Sequence, residues 1–180
     1  MAKAHTMPFT LSNASVDAFT ITLTALSGIL DKAAAHAAAR KIDPAVLLAT
    51  RLYPDMFAFT RQVQIATDQA KNGTSRLAGV EPPRFEDNET TIEQIKDRLA
   101  RTIAHLQSLD RHKIDAAADH DIVFPVGPQN RFKMKGGQYL SGFVVPNFYF
   151  HVTAAYAILR HCGIEIGKRD FVGQIPMIPA

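Results

Sequence analysis

Apolar residues recur at steps of three and four over four long stretches of this chain, the period of helices that each bury one face. In the first stretch Val16, Phe19, Leu23, Leu26, Leu30, Ala33 and Ala37 form an unbroken seam, the spacing of a helix packed at a shallow angle in a bundle. Its alanine-rich end, 33 to 39, favours helix and lets a neighbour approach closely, and Asp43-Pro44 breaks it. A second helix is expected to start near Pro54, where a missing N–H does no harm in the first turn. Its seam is Met56, Phe59, Val63, Ala66 and Ala70, and Asp55 and Gln62 share the edge of that seam. Asn72-Gly73 is a point at which this helix is expected to fray or bend, and Gly79 to Pro83 ends it.

The third stretch opens on Thr90-Thr91-Ile92-Glu93, which fits a capping box, and carries the stripe Ile92, Ile95, Leu99, Ile103 and Leu106 to its end near Asp110. Between Asp110 and Gln138 the helical period disappears. Ile122–Phe124 and Arg131–Met134 read there as two short strands around a Pro125–Asn130 turn. Such a connection is long enough to cross a bundle and return a helix in either direction. In the fourth stretch Leu140, Val144, Asn147, His151, Ala154 and Ile158 fall on one face. Pro146 either kinks that helix or starts it, and Gly163 is placed to stop it. The remainder, 164–180 with Pro176 and Pro179, is expected along the surface. The pattern predicts an all-α four-helix bundle in one domain spanning 1–180, with a small β-hairpin insertion at about 120–135 before the last helix.

Asn147 and His151 break the apolar rule in the fourth seam. They lie one turn apart, so their side chains point into the same small volume. A buried amide and imidazole left without partners would be penalised by roughly 1–3 kcal/mol each. Either they satisfy one another and a neighbouring helix, fixing register, or they line a polar pocket between helices. In a pocket, neutral His151 is the candidate catalytic residue, accepting a proton from a bound nucleophile, with Asn147, Gln62 and Asp55 as ligand-binding candidates. Asp55 at a helix start is equally explained by the helix dipole, and Gln62 by a bond to neighbouring backbone. Tyr149 and Tyr156 read as packing residues, Cys162 as an apolar filler, and His36 and His105 as exposed. His161 suits a helix end without any function, and His5, His112 and His120 show no metal-ligand spacing.

Composition narrows the classes. The 180 residues are 47% hydrophobic and 21% charged, with a formal charge of +3, an ordinary globular balance. Lys and Arg are scattered rather than clustered, so a nucleic-acid partner is not expected. One cysteine excludes a disulfide framework and a CxxC pair. No run approaches ~18 consecutive apolar residues, and the N-terminal stretch lacks the apolar core of a signal peptide; no membrane association and a cytoplasmic location are the expectation. There is no phosphate loop, nucleophile elbow or His-Glu-x-x-His.

His151-Val-Thr-Ala-Ala-Tyr-Ala-Ile-Leu159-Arg160-His-Cys-Gly163 resembles the last motif of the DinB/YfiT-like superfamily, a His-x-x-x-His pair followed by a run ending in Leu-Arg-x-x-Gly. Ile42-Asp-Pro-Ala-Val-Leu47, Pro54-Asp-Met-Phe57, Pro146-Asn-Phe-Tyr-Phe-His151 and Gly163-Ile-Glu-Ile-Gly-Lys-Arg-Asp-Phe171 resemble a bacterial and fungal subfamily known only as a domain of unknown function. The resemblance implies an up-down-down-up bundle, often a homodimer. It also implies three histidines around a divalent metal, one from the second helix and two from the fourth. Some such proteins transfer or isomerise with small-molecule thiols.

This chain departs from that pattern. His151 matches the second histidine of the pair, Asn147 stands at the first, and Gln62 is the nearest counterpart of the third. Neutral amide oxygens are poor donors for zinc, so His151, Asn147 and Gln62 would hold such an ion weakly unless Asp55 joined them. A harder ion could draw on Asp55, Asn147 and Gln62. The functional expectation is a small molecule bound in a polar inter-helix pocket, in a degenerate metal-dependent hydrolase or thiol transferase. The alternative is a non-catalytic dimeric scaffold whose polar core is structural.

Overall fold

The computed structural model describes residues 9–127, 129–175 and 177. A five-residue π-helical stretch, Asn13–Asp17, runs straight into α1 (Ala18–Arg40). All seven seam positions expected in this region are buried. Helix α1 stops where Lys41 takes a left-handed backbone conformation. Asp43-Pro44 is a start as well as a break: the Asp43 carboxylate accepts from the Ala45 N–H at 2.9 Å and Pro44 opens the short α2 (Pro44–Ala49).

Helix α3 (Phe59–Leu77) begins later than Pro54. Pro54, Asp55 and Met56 stand in a turn ahead of it, tied by Arg51 Nη1 donating to the Met56 carbonyl at 3.2 Å. The Phe59 N–H donates to the Thr50 carbonyl at 2.9 Å. Exposed Asp55 therefore shares no helix face with Gln62. Gly73 neither frays nor bends α3. A Cβ there would come within 2.6 Å of Val144 Cγ1, so the glycine lets the start of the last long helix approach closely. The capping box of α4 (Ile92–Ser108) is one residue along from the expected one: Thr91 Oγ1 accepts from the Gln94 N–H at 3.2 Å, and Gln94 Oε1 accepts from the Thr91 N–H at 3.1 Å.

Part of the segment read as non-helical is helix. Asp110 caps α5 (Arg111–Ala116), accepting from the His112 N–H at 2.9 Å. Strands β1 (Asp121–Val126) and β2 (Asn130–Lys135) then pair antiparallel with Phe124 opposite Phe132. Buried Phe124 docks the hairpin, its ring centroid 4.6 Å from Tyr139 and 4.7 Å from Phe143. Helix α6 (Gly136–Tyr139) continues through a π stretch, Leu140–Val144, into α7 (Val145–His161). Pro146 sits in the first turn of α7, directly after the π stretch that changes the hydrogen-bond register.

That π stretch moves the core seam. Its i→i+5 bonds hold one more residue per turn, so Phe148 and Val152 take the buried places expected of Asn147 and His151, while Ala154 and Ile158 are buried as expected, together with Ala155 and Leu159. Asn147 and His151 stand beside that line and are half-buried, not central in the seam as the simple period predicts.

Contacts fix the topology. Helix α3 packs against α7 and α4, and α1 against α4 and α7. Arg98 early in α4 meets Thr67 early in α3, and His105 meets Ser75 a turn or two later in both, so α3 and α4 run parallel. Gln62 meets His151 and Gly73 meets Val144, which makes α3 and α7 antiparallel. Phe19 and Phe148 touch near the starts of α1 and α7, at 4.3 Å between centroids, while Lys96 early in α4 pairs with Asp31 late in α1. The bundle is up-down-down-up, and the connection 78–91 returns the chain along the length of α3.

Gly163, at φ +87°, ends α7: its N–H donates to Arg160 O at 3.1 Å and the Ile164 N–H to Leu159 O at 3.2 Å. The segment after it is not a surface tail throughout. Ile164 and Ile166 are buried, and α8 (Lys168–Val172) lies on α1 with Asp170 2.6 Å from Lys32 Nζ. Pro176 and Pro179 lie outside the described residues. Asn13–Arg40 and Gly136–His161 are long and apolar enough to cross a membrane by length and composition alone, yet both contribute their large apolar side chains to this core.

Candidate functional site

Gln62 occupies the first turn of α3 and is buried to 1% exposure. Its Nε2 donates to the Phe57 carbonyl at 3.2 Å, on the extended strand of chain that enters the helix. That bond directs Oε1 towards α7, where it stands 2.7 Å from His151 Nδ1. An amide oxygen only accepts, so His151 Nδ1 carries the proton and donates. The other ring nitrogen, Nε2, has no hydrogen-bond partner among the described residues and is not sealed from solvent. Burial, then the positive charge of Arg61, pushes the imidazole pKa below its ordinary value, so the ring is neutral at neutral pH. Phe150 packs edge-on against the ring at 5.2 Å and is more than half exposed.

The other two residues singled out do not join this pair. Asn147 Nδ2 donates to the Phe143 carbonyl at 2.7 Å, back along its own helix. Asp55 stays in the turn before α3. Of the four candidates the fold brings His151 and Gln62 together and leaves Asn147 and Asp55 apart.

A divalent metal does not fit these side chains. Gln62 Oε1 is engaged by a proton of His151, Asn147 is turned to its own backbone, and one imidazole nitrogen remains. Among the described residues no group of three His, Cys, Asp or Glu side chains is placed to hold a metal. Zinc sites are built from three or four such donors.

The sequence reading missed the largest polar cluster. Arg98 is fully buried on the inner face of α4. Its guanidinium donates to Thr67 Oγ1 (2.7 Å), Glu89 Oε1 (2.9 Å), Asp68 Oδ1 (3.0 Å) and the Glu86 carbonyl (3.1 Å). Gln64 Nε2 donates to Glu89 at 2.8 Å, and Lys71 Nζ to the Pro83 carbonyl at 2.5 Å. Burial raises the Glu89 pKa, but the bonds from Arg98 and Gln64 outweigh it and hold the carboxyl below its ordinary value. Each polar side chain in the cluster has a partner among the described residues, so it clasps the connection 78–91 onto α3 and α4. The signal was Arg98 at helical spacing from Ile95 and Thr102. His105, expected to be exposed, is half-buried with Nε2 2.7 Å from Ser75 Oγ; burial, then the charge of Lys71, lowers its pKa.

Residues 11–172 match the family described as a domain of unknown function, DUF1993. The solved structure of a DinB family member protein from Shewanella denitrificans is similar over 94% of this chain and 96% of that one, at 38% identity and a TM-score of 0.87. No curated protein matches the chain. Its bundle topology, its fourth-helix motif and these matches together make the chain a member of the DUF1993 family of DinB-like proteins.

Proposed function

We propose that this protein binds a small organic molecule at the open surface between α3 and α7, with His151 Nε2 accepting a hydrogen bond or a proton from an acidic X–H group such as a thiol. The observation behind this is the relay from the Phe57 carbonyl through Gln62 to His151 Nδ1, which fixes the ring and its tautomer and presents the Nε2 lone pair outward. A neutral, oriented imidazole is the state that a proton acceptor requires. The positive charge of Arg61 that disfavours imidazolium would favour the anion left when X–H gives up its proton. Phe150 supplies an apolar flank. His151 is the residue that meets the ligand, and Gln62 positions it. Metal-dependent hydrolysis lacks a donor set among the described residues.

One observation favours a second reading. Both groups of the Gln62 amide are satisfied within the protein, so the pair also braces α3 against α7 as a scaffold would use it. Titrating 2-mercaptoethanol while following the His151 ring resonances by NMR separates the two. Saturable shifts centred on His151, lost in His151→Phe, support binding. No shift in the native protein, with a destabilised but folded His151→Phe, supports the scaffold and overturns binding.

A further inference from the structure

The far end of α3 carries a second cleft, unrelated to His151. Arg76 follows Gln62 by fourteen residues, roughly 21 Å along the helix at 1.5 Å per residue. The cleft, of about 510 Å³, opens between the connection 78–91 and the β-hairpin. We propose that it binds a small organic carboxylate carried on a compact apolar body, with Arg76 and Arg131 as its two cationic partners.

Four side chains that carry N–H donors line it: Arg76, Gln129, Asn130 and Arg131. Arg76 is held by one edge, its Nη1 donating to the hydroxyl of fully buried Tyr139 at 3.1 Å. Its remaining N–H groups have no acceptor among the described residues, and it makes no ion pair among them. A guanidinium fixed on one side and open on the other is preorganised for a planar carboxylate.

The hairpin register supplies the second cation. Asp121 pairs with Lys135, Val123 with Lys133 and Pro125 with Arg131, so these six share one face of the ribbon. Asp121 pairs with both lysines, at 2.8 Å from Lys135 Nζ and 2.9 Å from Lys133 Nζ. No carboxylate pairs with Arg131 among the described residues, and Arg131 is the cation of that row that lines the cleft. The apolar contribution comes from Val80 and Val123, 41% and 47% exposed, which a ligand body would cover. The volume is in the range of small-molecule sites. Glu81 also lines the cleft and penalises each negative charge of a ligand, which favours a singly charged carboxylate over a divalent phosphate.

Calorimetric titration of the full chain with sodium benzoate at low ionic strength tests this, with acetate and inorganic phosphate as comparison probes. Saturable benzoate binding is expected, tighter than acetate or phosphate. It should weaken about tenfold in Arg131→Gln, the effect of losing one charge-assisted contact, and strengthen in Glu81→Gln. Arg131 has no structural partner among the described residues, so its replacement leaves the fold intact; His151→Phe, at the other end of α3, leaves benzoate affinity unchanged. Absence of saturable binding, or equal affinity in native protein, Arg131→Gln and Glu81→Gln, overturns the proposal.

Discussion

At the scale of single residues, the site is decided by which hydrogen bonds are already made. His151 was legible in the sequence because an imidazole on a helical stripe, twelve residues before a helix-stopping glycine, stands out from its apolar neighbours. Gln62 was legible only through the family pattern, since a glutamine at a seam's edge has many ordinary explanations. Asn147 does not face His151 because its partner is a backbone carbonyl one turn back, in a π stretch that no side-chain pattern announces. Two of the half-buried histidines, His151 and His105, carry a pH consequence. Both have pKa values lowered by burial and then by a neighbouring cation, so the unfolded chain takes up protons near pH 6.5 that the folded one does not. Stability is therefore complete above that pH and declines as pH falls through about 6.5 towards the folded values. Urea unfolding at pH 8.0 and 5.5 should give a lower midpoint at 5.5, by less in the His105→Asn, His151→Asn double variant. Identical midpoints in the native protein would contradict the burial assigned to both rings.

At the scale of elements, the four seams were readable because burial on one side imposes a period of three and four. Boundaries were not. Pro54 suits a first turn, but Arg51 ties the chain into a turn there, and α3 waits for Phe59. Nothing in the period of α3 or α4 tells that they run parallel, because that depends on the clasp around Arg98. Replacing Arg98 by Met leaves the buried Glu89 carboxylate without its cation, and breaking a buried pair from one side costs about 3–5 kcal/mol. Denaturant unfolding should show that loss, and a change below about 1 kcal/mol would mean the clasp is dispensable. Gly73 offers a test of the α3–α7 contact. Alanine there adds about 1 kcal/mol of helix propensity, but its Cβ meets two Val144 methyls at 2.6 and 2.8 Å. Overpacking of about 1–3 kcal/mol should win, and Val144→Ala should restore the propensity gain in the double variant. A stabilised Gly73→Ala single variant would contradict the close approach.

At the scale of the molecule, the up-down-down-up order puts α3 between α4 and α7. One face of α3 is closed by the Arg98 clasp, and its start, facing α7, holds Gln62 against His151. At the three positions where the resemblance implies histidines, this chain has His151 and two amides, Gln62 bonded to the ring and Asn147 turned to its own helix. What persists is a single oriented imidazole. Long-range ¹H–¹⁵N correlation NMR of the His151 ring, in native protein and in Gln62→Leu, measures that directly. The structure predicts a protonated Nδ1, a bare Nε2 and a pKa below 6.5 in the native protein, with the tautomer preference lost in Gln62→Leu. A ring protonated at Nε2, or one whose tautomer and pKa are the same without Gln62, would contradict it.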